Sequence, residues 1–281
     1  MAELMKGAAA AAELTEKLKA ESAALREGGT VPTLAVVRVG ERDDDLAYER
    51  AALSRCSRCG VESRVVALPE DVTQQRLEDE LRALGTDDSV HGILLLRPLP
   101  KTLDEAAACE AIPAAKDVDG VTLSSSAALY MLAPWAFAPC TAEACVELLK
   151  YYGTQLDGAR VTVVGRSPVI GRPAALLLIR ENATVTVAHT HTRELPAVCR
   201  EADILIVAAG RKGLVGAEHV RAGQTVVDVG IHAEADGSLT GDVRFSEAEP
   251  VVRAITPVPG GVGSMTTAIL CRHVIEAAKK A

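Results

Sequence analysis

The sequence predicts an α/β protein built as two domains, the second carrying a parallel sheet of Rossmann-like order. Three observations carry that expectation. Short β-branched runs alternate with helical runs that stop at glycine, the pattern of parallel β-α-β units. Arg160–Val164, an apolar β-branched run, enters a loop bounded by Gly165 and Gly171 and restarts as the helical run Ala174–Ile179. A serine- and alanine-rich stretch after Lys116-Asp-Val-Asp-Gly120 separates one α/β series from the next. The boundaries this suggests are 1–123 with 265–281 for the first domain and 124–264 for the second.

In the first series Leu14, Leu18 and Leu25 recur at helical spacing in an alanine-rich helix that stops at Gly28-Gly29. Leu34–Val39 follows as a buried strand. A helix over Leu46–Cys59 ends at Gly60, the expected capping glycine. Glu62–Leu68 is the next strand, and Thr73 opens a helix carrying Leu77, Leu81 and Leu84 that ends at Gly85. Val90–Leu96 is a strand halted by Pro98 and Pro100. In the second series Thr141 caps a helix through Tyr152, with Pro139 just ahead of it. Strands follow near 160–164, 183–188, 203–208, 224–229 and 254–256. Ser264–Ala278 is a closing helix long enough to return to the first domain.

Composition narrows the function classes. The 281 residues are 48% hydrophobic and 24% charged, ordinary values for a soluble enzyme with an ample core. A net charge of −8 argues against nucleic acid as a partner, because phosphate binding needs a basic face. No apolar run approaches the roughly 20 residues of a membrane span. Glu3, Lys6, Glu13 and Glu16 interrupt the N-terminal alanines, unlike a signal peptide. Seven scattered cysteines without secretory signals fit a reducing cytoplasm. Cys56-Ser-Arg-Cys59 is a single C-x-x-C on a helix, with both thiols expected among buried small residues, so a structural role outweighs zinc or redox chemistry.

The glycine-bounded loop is where chemistry first shows. A strand that stops at glycine and restarts as a helix presents backbone N–H groups at the positive end of the helix dipole, an anion site that commonly holds dinucleotide phosphates. The spacing is not G-x-G-x-x-G, and an ordinary strand-to-helix turn is the alternative. An NAD site needs a carboxylate at the end of the second strand. Here that strand runs into His189-Thr-His-Thr-Arg193, and the first carboxylate is Glu194. With Arg166 also in the loop, cations and hydroxyls suit a 2′-phosphate, so NADP is the expected cofactor. His189 and His191 share a face with no third ligand in sequence view, and no metal is expected.

Further segments are unlike generic α/β sequence: Val90-His-Gly-Ile-Leu-Leu-Leu-Arg-Pro-Leu-Pro100, Lys116-Asp-Val-Asp-Gly120, Pro139-Cys-Thr141, Val226-Val-Asp-Val-Gly-Ile231 and Ile255-Thr-Pro-Val-Pro-Gly-Gly-Val-Gly-Ser-Met-Thr266. Together with Gly165–Pro173 they resemble, in order and over nearly the whole length, the methylenetetrahydrofolate dehydrogenase/methenyltetrahydrofolate cyclohydrolase family. The resemblance implies two domains around a cleft that holds a tetrahydrofolate derivative and NADP, and a homodimer. By position it makes Asp119 the carboxylate that hydrogen-bonds the pterin, and Tyr48 the ring that stacks on folate. It assigns Arg166, Ser167 and Thr190 to the 2′-phosphate, with Gly165 and Gly171 in the nucleotide loop. Ile231 falls beside the nicotinamide, and Pro257, Gly260 and Gly261 fall in the loop over folate and nicotinamide.

Two departures from the family pattern stand out. Its helix reads S-x-x-Y-V-x-x-K, and with Tyr48 twelve residues before Gly60 the serine position is Asp45 and the lysine position is Ala52. Its strand reads H-G-I-L-V-Q-L-P-L-P, and the glutamine that bonds this lysine is Leu96 here. Hydride transfer asks the protein mainly for positioning, whereas hydrolysis of the methenyl cation needs proton transfers suited to a tuned lysine. The expectation is therefore an NADP-dependent dehydrogenase with weak or absent cyclohydrolase. The alternatives are a full bifunctional enzyme with rerouted proton chemistry, through Arg55 or the run Asp43, Asp44 and Asp45, and a folate- or nucleotide-binding protein without turnover. Arginine is a poor proton carrier, and the aspartate run also reads as a solvated loop.

Overall fold

A computed structural model describes residues 1–133, 135 and 137–281. The elements begin with β1 (Glu3–Leu4) and α1 (Gly7–Glu27), then β2 (Thr33–Val39), α2 (Asp43–Cys59), β3 (Glu62–Leu68), α3 (Gln74–Thr86), β4 (Gly92–Leu95), α4 (Glu105–Glu110) and α5 (Leu123–Tyr130). The second series is α6 (Cys140–Tyr151), β5 (Arg160–Val164), α7 (Gly171–Arg180), β6 (Thr184–Ala188), α8 (Leu195–Glu201), β7 (Ile204–Val207) and β8 (Thr225–Asp228). A two-strand ribbon, β9 (His232–Ala233) and β10 (Leu239–Thr240), precedes α9 (Phe245–Ala248), β11 (Ala254–Ile255) and α10 (Gly263–Ala278).

The chain divides into two compact units, one of residues 12–140 with 267–281, the other of 1–11 with 141–266. These differ from the boundaries expected from sequence at residues 1–11, at 124–140 and, by two residues, at 265–266. Residues 1–11 go with the second series because β1 pairs in parallel with β11, Glu3 opposite Ala254 and Leu4 opposite Ile255. The serine-rich stretch is no crossing: Thr122 caps α5 by accepting from the Ser125 amide at 3.1 Å, and the division falls at 140/141 instead.

In the first of these units β3, β2 and β4 form a parallel sheet in that order. The central strand β2 is buried along nearly its whole length, as a β-branched run between two neighbours should be. Leu77, Leu81 and Leu84 on α3 pack with Val37, Ile93 and Leu95 in one core. Thr73 caps α3 through the Arg76 amide, as the sequence suggests, but the helix continues through Gly85 to Thr86. Gly85 is there for close packing, since a Cβ would crowd the Pro113 ring. Gly60 closes α2 at φ 75°. Both thiols of the C-x-x-C are fully buried, and the Cys56 sulfur lies 3.7 Å from that of Cys271 on α10.

The other unit holds a six-stranded parallel sheet in the order β1-β11-β8-β7-β5-β6. The chain leaves β5 to one side for β6 and then crosses to the other for β7, so strand order reverses at β5. In parallel sheets that reversal opens a ligand crevice at the carboxyl ends of the strands. Val164, Leu205, Val207 and Ile255 lie in the core on one side of the sheet. Among the described residues no helix is long and apolar enough to cross a membrane.

Candidate active site

In the unit of residues 12–140 with 267–281, α2 places Asp45, Tyr48 and Ala52 on one face, at spacings of three and four residues. Ala52 is fully buried and Leu96 is nearly so, which makes both departures apolar core positions. Tyr48 is partly buried. Burial, followed by the nearby Asp119 carboxylate and the Cys140, Cys271 and Cys56 thiols, raises its phenol well above the ordinary value, so it stays protonated.

Asp119 sits in the turn that ends at Gly120. The turn is held by a different carboxylate: Asp117 is buried and accepts from the Val121 and Thr122 amides at 2.9 and 2.8 Å. Asp119 is thus released from capping, and it meets Cys140, through the amide at 3.3 Å and the thiol, and the Arg97 guanidinium at 4.0 Å. Burial raises its carboxyl above the usual range, and Cys140 and Arg97 act against that rise.

Arg97 is the residue that sequence reasoning missed. The signal was available one position beyond Leu96, where the family strand H-G-I-L-V-Q-L-P-L-P has leucine and this chain has arginine. Its guanidinium lies between Glu105, at 3.5 Å, and Asp119. Glu105 is itself fixed by accepting from the Leu99 amide at 2.9 Å.

The candidate proton carriers separate clearly. The three aspartates are not a loop but the first turn of α2, where negative charge favours the helix dipole. Asp43 and Asp44 are exposed, whereas Asp45 is buried, with Arg42 at 3.7 Å. Burial raises the Asp45 carboxyl, Asp44 adds to the rise, and Arg42 and Arg38 oppose it. Arg55 donates to the hydroxyls of Thr15, at 2.7 Å, and Thr267, at 3.3 Å. That is the setting of a helix-to-helix tie.

The nucleotide loop of the other unit leaves β5 at Val164 and enters α7 at Gly171. Gly165 has φ 128°, and a Cβ there would strike the Ala208 carbonyl. A Cβ on Gly171 would strike the Gly165 carbonyl, so the turn folds onto itself only with glycine at both places. Ser167 accepts from the Ile170 amide at 3.1 Å, and no side chain caps α7. The Arg172 amide donates to the Ser167 carbonyl at 3.1 Å and Pro173 has no N–H, so among the described residues of this turn the Gly171 amide is the α7 N–H left for an anion. The pairing of Val164 with Ala188 brings the following loop, His189–Arg193, alongside. Arg166, Thr190 and Arg193 are exposed there. Burial lowers the His189 imidazole's pKa, and the charges of Arg166 and His191 lower it further. A dinucleotide with a 2′-phosphate fits this turn: tight backbone for the diphosphate, and an exposed arginine beside hydroxyls for the extra charge.

Ile231 is exposed just after β8, and its loop is clamped by Asp228. The Asp228 carboxylate accepts from the Gly230, Asp242 and Val243 amides, each at 3.0 Å, while burial pushes it up to about 6. Asp228→Asn must set an amide N–H₂ against at least one of those three donors. A loss of about 1–3 kcal/mol in unfolding free energy is expected at neutral pH, measured by urea unfolding. A variant as stable as the parent would show that the clamp is dispensable. Pro257, Gly260 and Gly261 lie in the loop after β11, where the Gly260 carbonyl accepts from the Gly7 amide at 2.8 Å.

Residues 5–119 match the family model for the tetrahydrofolate dehydrogenase/cyclohydrolase catalytic domain, and 139–281 match its NAD(P)-binding domain. The chain belongs to this family. A bifunctional protein FolD from Carboxydothermus hydrogenoformans is 48% identical over 279 residues, covering 99% of this chain and 97% of that one. The bifunctional FolD of Campylobacter jejuni superposes with a TM-score of 0.97 at 38% identity, over 100% of this chain and 99% of the other. A Trypanosoma brucei FolD solved with NADP and an inhibitor gives 0.93 at 36% identity, over 99% and 98%. The family resemblance, the α/β fold in two units and the NAD(P)-type domain anticipated from sequence therefore stand.

Proposed function

We propose that this chain oxidises 5,10-methylenetetrahydrofolate to 5,10-methenyltetrahydrofolate with NADP and hydrolyses the product to 10-formyltetrahydrofolate. The observation that carries the bifunctional reading is full-length similarity, at 48% identity, to a relative named as bifunctional. Weak or absent cyclohydrolase, the expectation from Ala52 and Leu96, has no support among these relatives. The alternative, rerouted proton chemistry, accords better with them.

Gly165, Gly171, Arg166, Ser167 and Thr190 would hold NADP, with Ile231 beside its nicotinamide. Bound NADP supplies the hydride acceptor for oxidation of the methylene bridge. Tyr48 stacks on folate and Asp119 accepts from the pterin, while Pro257, Gly260 and Gly261 border both ligands. Asp45 takes the lysine's duty in hydrolysis. It accepts a proton as water oxygen bonds to the bridge carbon. It then returns that proton to N5 as the C–N5 bond breaks and the hydroxyl proton leaves to solvent. Asp45 suits the task because it is buried, lies on the Tyr48 face of α2 and has a raised carboxyl pKa. The setting in view is cytoplasmic one-carbon metabolism, with a homodimer as the working form.

The deciding experiment is a side-by-side assay of the purified protein. NADPH absorbance reports oxidation, and decay of methenyl-folate absorbance reports hydrolysis. Both rates of similar size support the bifunctional enzyme. Oxidation alone returns the reading to a dehydrogenase, which the two buried apolar positions favour. Binding without either rate would leave a folate-binding protein.

A further inference from the structure

Resting on that reading, we infer that Arg97, braced by Glu105, is a positioning residue for folate binding: its guanidinium holds the Asp119 carboxylate as an anion presented beside Tyr48. The first argument is charge. Position 52 carries no amine, so α2 brings no lysine to the Tyr48 face, and Ala52 is fully buried. Asp119 would then be a partly buried carboxylate whose other hydrogen bonds come from uncharged donors, the Cys140 amide at 3.3 Å and the Cys140 thiol. Such a group drifts toward its neutral form unless a cation is close. Arg97 is that cation, 4.0 Å from Asp119 on the first residue after Leu96.

The second argument is geometry. Arg97 is ion-paired on its far side to Glu105 at 3.5 Å, and Glu105 is locked to the Leu99 amide at 2.9 Å. The guanidinium is therefore set from behind, with its side chain 21% exposed, and Asp119 finds it in one place. Because arginine does not lose its proton near neutrality, it serves as a fixed charge and takes no part in proton transfer. The groups facing Asp119 are Tyr48 from α2, Arg97 with Glu105 behind it, Asp117 two residues earlier and Cys140 at the start of α6. Of these only Arg97 favours the anion by charge. An ionised Asp119 accepts the pterin N–H groups; a protonated one does not accept both. Loss of Arg97 moves the acid limit of folate binding upward in pH.

The test measures 5-formyltetrahydrofolate affinity by calorimetry, and KM and kcat for methylenetetrahydrofolate, from pH 5 to 8 in native protein, Arg97→Leu, Arg97→Lys and Glu105→Gln. Arg97→Leu should raise KM about 10- to 100-fold with a smaller change in kcat, the size of one charge-assisted contact. Its acid limb should move to higher pH. Arg97→Lys should recover most of the affinity, Glu105→Gln should lie between, and NADP affinity should stay unchanged in all three. If Arg97→Leu does not fold, the lysine and glutamine variants decide. A native pH profile and KM in the variants that fold overturns the inference while leaving the enzyme reading intact. Native protein that binds no folate and turns over nothing overturns the enzyme reading itself.

Discussion

Asp45→Asn is expected to slow hydrolysis of methenyl-folate by about 10²- to 10⁴-fold, the range for removing a positioned acid–base group. Oxidation of the methylene compound should change by no more than a few-fold, because hydride transfer calls on no proton from this side chain. Asparagine keeps the shape and some hydrogen bonding, so folding should suffer little. The cost through the helix dipole is about 0.3–1 kcal/mol for one first-turn charge. The pH dependence carries a second signature. Burial raises the Asp45 carboxyl, so as a base it is lost as pH falls through a value above that of an ordinary aspartate. Hydrolysis in the native enzyme should therefore weaken on the acid side earlier than a solvent-exposed carboxylate would dictate. Equal hydrolysis in native protein and variant would reduce Asp45 to a helix-stabilising charge and leave the proton carrier to be sought elsewhere.

Arg166→Ala should weaken NADP binding about 10- to 100-fold and leave NAD binding within a factor of two. The reasoning is local. His189 stands in the field of Arg166 and His191, and its lowered pKa keeps it neutral near pH 7. The positive charge of this corner then rests on Arg166 and Arg193. A charge-assisted hydrogen bond to a phosphate is worth about 1.5–3 kcal/mol, which sets the expected range. Calorimetric titration of both dinucleotides into native protein and variant checks it. NAD affinity equal to that for NADP in the native protein would remove the basis for the assignment.

The parts of this fold that could be foreseen are those in which local chemistry and tertiary demand agree. Gly60, Thr73 and the β-branched run 160–164 each have one stable use, and the chain uses them so. The nucleotide loop was legible because two glycines at that spacing close a turn that any side chain would block. What could not be read needed partners from far along the chain. Glu3-Leu4 becomes a strand only because Ala254 and Ile255 lie open beside it. Asp117 and Asp119 look alike in sequence, and only the amides of Val121 and Thr122 reveal which one holds the turn. Asp43–Asp45 looked like a solvated loop because three consecutive carboxylates repel, yet at the start of α2 the dipole offsets that repulsion.

Neither unit is a single length of chain, and this has a consequence for biosynthesis. Cys56 meets Cys271 across 215 residues of sequence. At roughly 5–20 residues per second, a ribosome needs about 10–40 s to travel from one to the other. Through that interval α2 waits without its covering helix, so a face meant for the interior, thiols included, is exposed on the nascent chain. The same delay applies to β1, whose partner strand is also made late. A chain cut near residue 140 would strand both units unfinished, and the two halves supplied separately should recover structure only when mixed.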